Sequence, residues 1–167
     1  AAPREPRGPR RLLRGLLAFF GARAIERASV WRDDVALFDD AARNAPRSAR
    51  AWQNLGAAHL SAGDTERAIL ALERARELDP QRKSTHLNLG IAHLRRGDRG
   101  AGLRALESAI EAPTLAGERP LHDRAFDVYA RQLERLGRRD TLRAAVAREL
   151  ARSPDSLPAR AWQLRLE

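Results

Sequence analysis

The chain contains no cysteine, few aromatic residues and few β-branched residues, and each shortage narrows what it can be. Without cysteine there are no disulfides and no thiolate chemistry, and the redox compartment stays undetermined. Aromatic residues make up 5% of the sequence, whereas alanine, leucine and arginine dominate it. This composition favours helices over strands. At 167 residues and 43% hydrophobic, the chain suits one globular domain or a short array of repeats.

The sequence also lacks a hydrophobic run long enough to cross a membrane. The apolar stretch LLRGLLAFFGARAI, residues 12–25, contains two arginines and is shorter than the ~18 residues that a span needs. Three interpretations of it stay open: the first helix of an N-terminal unit, a membrane-proximal segment, or a signal-peptide core without a clear cleavage site. In the first, the inward-facing residues are Leu16, Phe19, Phe20 and Ile25. The proline- and arginine-rich residues 1–11 are predicted to be a disordered basic tail.

Lysine is almost absent, since Lys83 is the single lysine among 31 basic residues. We interpret this bias as base composition rather than selection for arginine chemistry. The net charge of +9 is divided unevenly, with +5 in residues 1–30, zero in residues 31–118 and +4 in residues 119–167. Basic ends permit attraction to nucleic-acid phosphates. The neutral middle and the shortage of aromatic side chains for base stacking make a nucleic-acid role the weaker alternative.

What the sequence does contain is an internal repeat. The stretch NLGAAHLSAGD at residues 54–64 returns as NLGIAHLRRGD at residues 88–98, 34 positions later. A frame that starts at Ala49 carries Trp52, Leu55, Gly56, His59, Ala68, Leu72, Ala75 and Pro80 at its periodic positions. A frame that starts at Lys83 carries His86, Leu89, Gly90, His93, Gly102, Leu106, Ala109 and, one residue early, Pro113. A weaker frame that starts at Asp123 carries Phe126, Tyr129, Ala130, Leu133, Gly137, Leu142, Val146 and Pro154.

The first two copies carry the signals of a helical hairpin. Gly56 and Gly90 lie inside helical patterns, where glycine costs roughly 1 kcal/mol relative to alanine. That cost indicates a neighbouring helix that must approach closely. The Gly-Asp pairs at 63–64 and 97–98 predict a helix end, a turn and a cap for the next helix. The proline at the end of each frame stops the second helix.

These frames resemble the tetratricopeptide repeat (TPR), a hairpin that buries its apolar face by stacking on its neighbours. The resemblance implies an all-α fold, a right-handed superhelical stack of antiparallel helix hairpins known as an α-solenoid. The predicted segments are an apolar helix and partial repeat at 12–47, TPR 1 at 48–81, TPR 2 at 82–115, a divergent TPR 3 at 116–156 and the start of a capping helix at 157–167. Three repeats are near the minimum for a stable stack, so self-association through an exposed end stays open.

A second resemblance concerns Glu26 to Gly56. This segment is similar to the junction in multi-span glycosyltransferase-like membrane proteins that end in TPRs. The matching residues are Arg27, Trp31, Asp33, Leu37, Phe38 and Pro46. The resemblance implies an accessory domain near a membrane, in the periplasm or a lumen, and a cytoplasmic location is the alternative. Transferase activity itself is not expected of this segment.

By the TPR resemblance, six positions of each first helix face a concave groove. The residues predicted to line it are Arg50, Gln53, Asn54, Ala57, Ser84, Leu87, Asn88, Ile91, Arg95, Arg124, Asp127 and Arg131. The same positions also carry Leu60, Ser61, Leu94, Val128, Glu134 and Arg135. Asn54 and Asn88 recur 34 residues apart, and an amide can pair with the backbone of an extended peptide. The alternative is that both asparagines belong to the repeat consensus and face solvent.

The arginines of this set favour an acidic ligand. The carboxylate clamp of chaperone-binding TPRs is not complete, because Gln53 and Val128 occupy two of its basic positions. His59, His86 and His93 are interpreted as replacements for packing aromatics rather than metal ligands, since no carboxylate lies at ligand spacing beside them. We therefore predict a non-enzymatic protein-interaction module that binds an extended peptide or a partner helix, without cofactor or metal.

Overall fold

A computed structural model describes residues 34–167 of the chain. The predictions made for the basic tail at 1–11 and for the apolar stretch at 12–25 lie outside the described residues. Within residues 34–167 the regular structure is entirely helical, as the composition predicted. No helix in this range has the length and hydrophobicity that crossing a membrane requires.

Helices follow one another with short connections. The described part of α1 covers residues 34–44. The remaining helices are α2 (Ala49–Ala62), α3 (Thr65–Leu78), α4 (Lys83–Arg96), α5 (Arg99–Glu111), α6 (Arg119–Arg135), α7 (Arg139–Arg152) and α8 (Leu157–Leu166). Helices α2 and α3 form one hairpin, α4 and α5 a second, and α6 and α7 a third, with α8 packed against α6 and α7.

The Gly-Asp pairs make the turns inside the first two hairpins. Gly63 ends α2 with a φ of 84°, and Gly97 ends α4 with a φ of 91°, a left-handed conformation that disfavours other residues. The next residue caps the following helix: the side chain of Asp64 accepts from the backbone N–H of Arg67, and Asp98 does the same in α5. The repeated letters at 63–64 and 97–98 therefore specify two identical turns.

Close packing inside the hairpins explains the helical glycines. A Cβ atom on Gly56 would lie 2.5 Å from Cγ of Leu72, and one on Gly90 would lie 2.6 Å from Cγ of Leu106. In the second hairpin Gly102 is equally confined, because its Cβ would lie 2.7 Å from Cγ of Leu94. The backbones of α4 and α5 approach most closely where these two glycines face each other, because a Cβ on Gly90 would lie 3.3 Å from the carbonyl oxygen of Gly102 and one on Gly102 would lie 3.2 Å from that of Gly90.

The third hairpin departs from this pattern. Its first helix, α6, has 17 residues and begins at Arg119, four residues before the frame that the sequence indicated at Asp123. Ala130 replaces the glycine of the other two hairpins, and α6 contacts α7 less extensively than α2 contacts α3. A longer connection at 112–118 precedes it. The divergent sequence of this unit therefore corresponds to a looser hairpin.

A recurring hydrogen bond fixes the start of three helices. A side chain in the first turn of α2, α4 or α8 is bonded to the carbonyl oxygen of the proline six residues earlier, in the preceding connection. Trp52 donates from Nε1 to Pro46 at 3.0 Å, His86 is bonded through Nε2 to Pro80 at 2.6 Å, and Arg160 donates from Nε to Pro154 at 2.7 Å. In α8 it is therefore Arg160 that corresponds to Trp52. The sequence echo between ARAWQ at 159–163 and ARAWQ at 49–53 is out of register with the structure.

Candidate peptide-binding groove

The first helices of the hairpins form a continuous row. Helix α2 contacts α4, α4 contacts α6, and α6 contacts α8. In the described part of the chain, α3, α5 and α7 make no such contacts with one another. Because the first helices lie closer together than the second helices, the stack bends towards them, and their outer faces line its concave side.

Most of the predicted groove residues lie on these first helices with part of their surface accessible. Arg50, Arg124 and Arg131 are exposed. The partly buried members are Gln53, Asn54, Ala57, Ser84, Asn88, Ile91 and Asp127. Within residues 34–167 the side-chain amides of Asn54 and Asn88 make no hydrogen bond to protein atoms. Among the described residues, therefore, two amides without hydrogen-bond partners lie on the neighbouring helices α2 and α4.

Three predicted groove residues are occupied by the fold itself. Leu87 is only 1% exposed and belongs to the main core cluster, because α6 packs across that part of α4; its placement in the groove surface was wrong. Arg95 donates from Nη1 to the carbonyl oxygen of Leu60 at 2.6 Å, so one arm of its guanidinium caps α2. Asp127 pairs with Arg131 at 2.8 Å.

Asp127 is further engaged by the last helix. Its Oδ1 atom accepts a hydrogen bond from Nε1 of Trp162 at 3.2 Å. Trp162 is 3% exposed and its ring is covered by the guanidinium of Arg165, 4.7 Å from the ring centroid. Helix α8 thus closes the concave row at the third hairpin, and the accessible groove is formed mainly by α2, α4 and the end of α6.

A cleft of about 560 Å³ opens between α4 and α6. Its lining residues are Ile91, Leu94, Arg95, Arg99, Val128, Gln132, Arg135 and Leu136. The four aliphatic side chains form its floor, where each is partly buried against the core. Among residues 34–167 no carboxylate lines the cleft, so its charge there comes from three arginines. Arg99, Gln132 and Leu136 were not predicted, because they fall outside the six groove positions of the repeat frame.

Comparison with known families identifies the first complete hairpin. The profile of the tetratricopeptide repeat family matches residues 49–82. Residues 49–82 are therefore similar to one tetratricopeptide repeat. The match coincides with α2, α3 and the turn that follows them, and it begins one residue after the predicted start of TPR 1 at residue 48.

Solved structures extend the likeness to most of the chain. MamA superposes with a TM-score of 0.62 at 21% identity, covering 81% of this chain and 70% of MamA. TTC0263, a thermophilic TPR protein of Thermus thermophilus, superposes with a TM-score of 0.63 at 18% identity, covering 87% of this chain and 77% of TTC0263. PcrH, solved in complex with the chaperone binding region of PopD, superposes with a TM-score of 0.52 at 23% identity. The match covers 87% of this chain and 99% of PcrH.

These superpositions establish the fold, and the predicted helical-repeat solenoid is confirmed. No curated protein sequence matches the chain significantly.

The histidines of the TPR frames serve packing and hydrogen bonding. Burial lowers the pKa of His93, and the nearby guanidinium of Arg96 lowers it further. Arg96 Nη2 lies 3.2 Å from Nδ1 of this ring. His86 is held by Pro80. Across residues 34–167 no group of three histidine or carboxylate side chains is arranged to hold a metal ion.

Proposed function

We propose that this chain is a non-enzymatic protein-interaction module whose concave TPR groove binds an extended peptide or a partner helix. The observation that carries the proposal is the pair Asn54 and Asn88. They lie 34 residues apart on neighbouring first helices, and within the described residues their amides are not engaged by the fold. An amide offers two donors and an acceptor, and so can pair with both polar groups of a peptide unit.

The neighbouring surface supports this proposal. Partly exposed Ile91 and Leu94 follow Asn88 on the same helix, so a ligand that pairs with the amides would also bury apolar area. PcrH shares the fold and was solved with a segment of PopD bound. That precedent supports a protein segment as the class of ligand.

The test uses peptides selected from a random dodecapeptide display library on the folded protein. Their affinities are measured by fluorescence polarisation for the wild type and for Asn54→Ala/Asn88→Ala. We expect affinity to fall about tenfold or more, since each lost hydrogen bond contributes roughly 0.5–1.5 kcal/mol.

The chain supplies its own control. Asn44, the one other asparagine of the sequence, lies on α1 and not on a first helix, and it donates from Nδ2 to Asp40 at 2.9 Å. Asn44→Ala is expected to leave peptide affinity unchanged. If the selected peptides bind Asn54→Ala/Asn88→Ala as tightly as they bind the wild type, peptide binding in the groove is contradicted.

A further inference from the structure

We infer that the cleft between α4 and α6 anchors the groove ligand and selects a protein segment in which a bulky apolar side chain is flanked by carboxylates. This inference rests on the proposed function and adds the chemistry of the partner. It depends on the floor of the cleft, on the charge around it, and on how its arginines are held.

The floor is apolar and already supported from below. Ile91 and Leu94 from α4 face Val128 and Leu136 from α6 and the turn after it. All four pack against the main core cluster, which fixes their positions, yet each keeps part of its surface accessible. A leucine- or phenylalanine-sized side chain placed between them would remove this remaining apolar surface from water.

The preceding junction, between α2 and α4, lacks such a floor. The position equivalent to Ile91 is Ala57, and the one equivalent to Leu94 is Leu60, which is buried. The position equivalent to Arg95 is Ser61. The combination of large aliphatic floor and basic edge is therefore a property of the second junction, and it locates the anchor there.

The edge of the cleft is basic and uncompensated. Arg95, Arg99 and Arg135 line it, and none of them forms an ion pair with any carboxylate of residues 34–167. Elsewhere on α6, Arg131 is paired with Asp127. The planar guanidinium fork suits two-point hydrogen bonding to a carboxylate.

Arg95 is also pre-positioned. Its Nη1 bond to the carbonyl of Leu60 on α2 fixes the guanidinium beside the concave face while leaving other N–H groups free to donate. A side chain that is already held in place loses less conformational freedom when a ligand binds.

The same arginines could attract a nucleic-acid phosphate, but the floor opposes that interpretation. Single-stranded nucleic acids are held by stacking of bases on aromatic rings. In the part of the chain that the structure describes, no aromatic side chain lines this cleft. Aliphatic floor and basic edge together fit an acidic, apolar protein segment.

The experiment uses three fluorescein-labelled dodecapeptide pools with the folded protein. The first pool randomises Leu and Phe with Glu and Asp, the second replaces the acids by Lys, and the third replaces Leu and Phe by Ala. We expect the first pool to bind on the order of tenfold more tightly than either of the others. Arg99→Glu/Arg135→Glu, which leaves Arg95 and its cap intact, should lose this preference and favour the Lys pool.

A matched charge reversal separates the cleft from general electrostatics. Arg104 and Arg148 are exposed residues of α5 and α7, outside the cleft. Arg104→Glu/Arg148→Glu changes the net charge equally and should keep the wild-type preference. If this control loses the preference as completely as the cleft variant does, the inference is overturned.

The remaining outcomes distinguish this inference from the function beneath it. If all pools bind equally and all lose affinity in Asn54→Ala/Asn88→Ala, the groove binds peptides and only the acidic–apolar specificity fails. The proposed function fails as well if no pool binds. It also fails if neither Asn54→Ala/Asn88→Ala nor Arg99→Glu/Arg135→Glu changes the affinity of the pools. A single-stranded oligonucleotide that displaces the acidic pool and binds more tightly would replace the protein ligand by a nucleic acid.

Discussion

The ammonium group of Lys83 donates a hydrogen bond to the carbonyl oxygen of Ala109 over 2.6 Å, linking the start of α4 to the end of α5. The same nitrogen donates to the carbonyl of Ala112 at 2.7 Å. These carbonyls end a helix, where a cation also meets the negative end of the helix dipole. Lys83 is 1% exposed, and burial lowers its pKa while the nearby carboxylate of Glu118 opposes that shift.

The contact extends into the third hairpin. Lys83 Nζ lies 3.5 Å from Nδ1 of His122 on α6, and Nε2 of that ring lies 2.9 Å from Oε1 of Glu149 on α7. A neutral imidazole with its proton on Nε2 accepts from the lysine and donates to the carboxylate. The single lysine of the chain therefore joins four helices through one buried polar network.

Lys83→Met should lower the free energy of unfolding by about 2–4 kcal/mol, because it leaves two buried carbonyls and His122 without their donor. Urea unfolding followed by circular dichroism measures the loss. Arg152→Met is the control, since exposed Arg152 donates to the neighbouring carbonyl of Ile110 at 3.2 Å. Equal losses of unfolding free energy in the two variants would show that the buried Lys83 contact stabilises the protein no more than the exposed Arg152 contact does.

Gly90→Ala should destabilise the protein by roughly 1–3 kcal/mol, although alanine has the higher helix propensity. The new methyl group would meet Leu106, which cannot retreat from a close-packed interface. Gly100→Ala on α5 is the matched variant, because the nearest atom to its Cβ lies 3.5 Å away, at the end of Arg104. Thermal unfolding should show Gly100→Ala to be neutral or slightly stabilising. A stabilised Gly90→Ala would contradict the packing argument.

Trp162→Ala should detach α8 and lower the free energy of unfolding by about 3–5 kcal/mol, as expected for truncating a buried large aromatic. The hydrogen bond to Asp127 would be lost with the ring. Leu164→Ala on the same helix is the comparison, because Leu164 is 74% exposed and should change stability by less than about 0.5 kcal/mol. Urea unfolding distinguishes them, and comparable effects would mean that α8 is not docked through Trp162.

Tyr129, the single tyrosine, should ionise at higher pH in the folded protein than in the unfolded chain. Burial raises the pKa of its phenol, and the hydrogen bond donated to Glu107 raises it further. The stabilisation from the neutral phenol is complete below the unfolded pKa of about 10 and is lost as pH rises through the higher folded pKa.

Phenolate absorbance reports this residue alone. The phenol of Tyr129 should ionise at a higher pH in the native protein than in the urea-unfolded chain. In Glu107→Gln the pH midpoint of the native protein should lie closer to that of the unfolded chain. Glu111→Gln, one helical turn further along α5, should leave it nearly unchanged. Coinciding midpoints for native and unfolded protein would contradict the burial of the hydroxyl.

The repeated residues of the sequence determined the turns, the helix caps and the close helix contacts. Gly63-Asp64 and Gly97-Asp98 specify the same turn because a left-handed glycine and an aspartate cap are local requirements. Gly56 and Gly90 indicated close helix contacts, because a helical glycine is unfavourable without one. The helical composition and the positions of the first two hairpins could therefore be predicted from the residues, and the solenoid arrangement from the resemblance to the tetratricopeptide repeat.

Tertiary structure alone decided which side chains of the groove stay available. The frame treated Leu87 and Ile91 as equivalent groove positions, but α6 packs over the first and leaves the second partly accessible in the cleft. Lys83 carried no signal in its neighbours along the chain, since its partners Ala109 and His122 lie 26 and 39 residues away. Local sequence specifies turns, caps and close contacts. Burial and long-range hydrogen bonds depend on how one hairpin rests on the next.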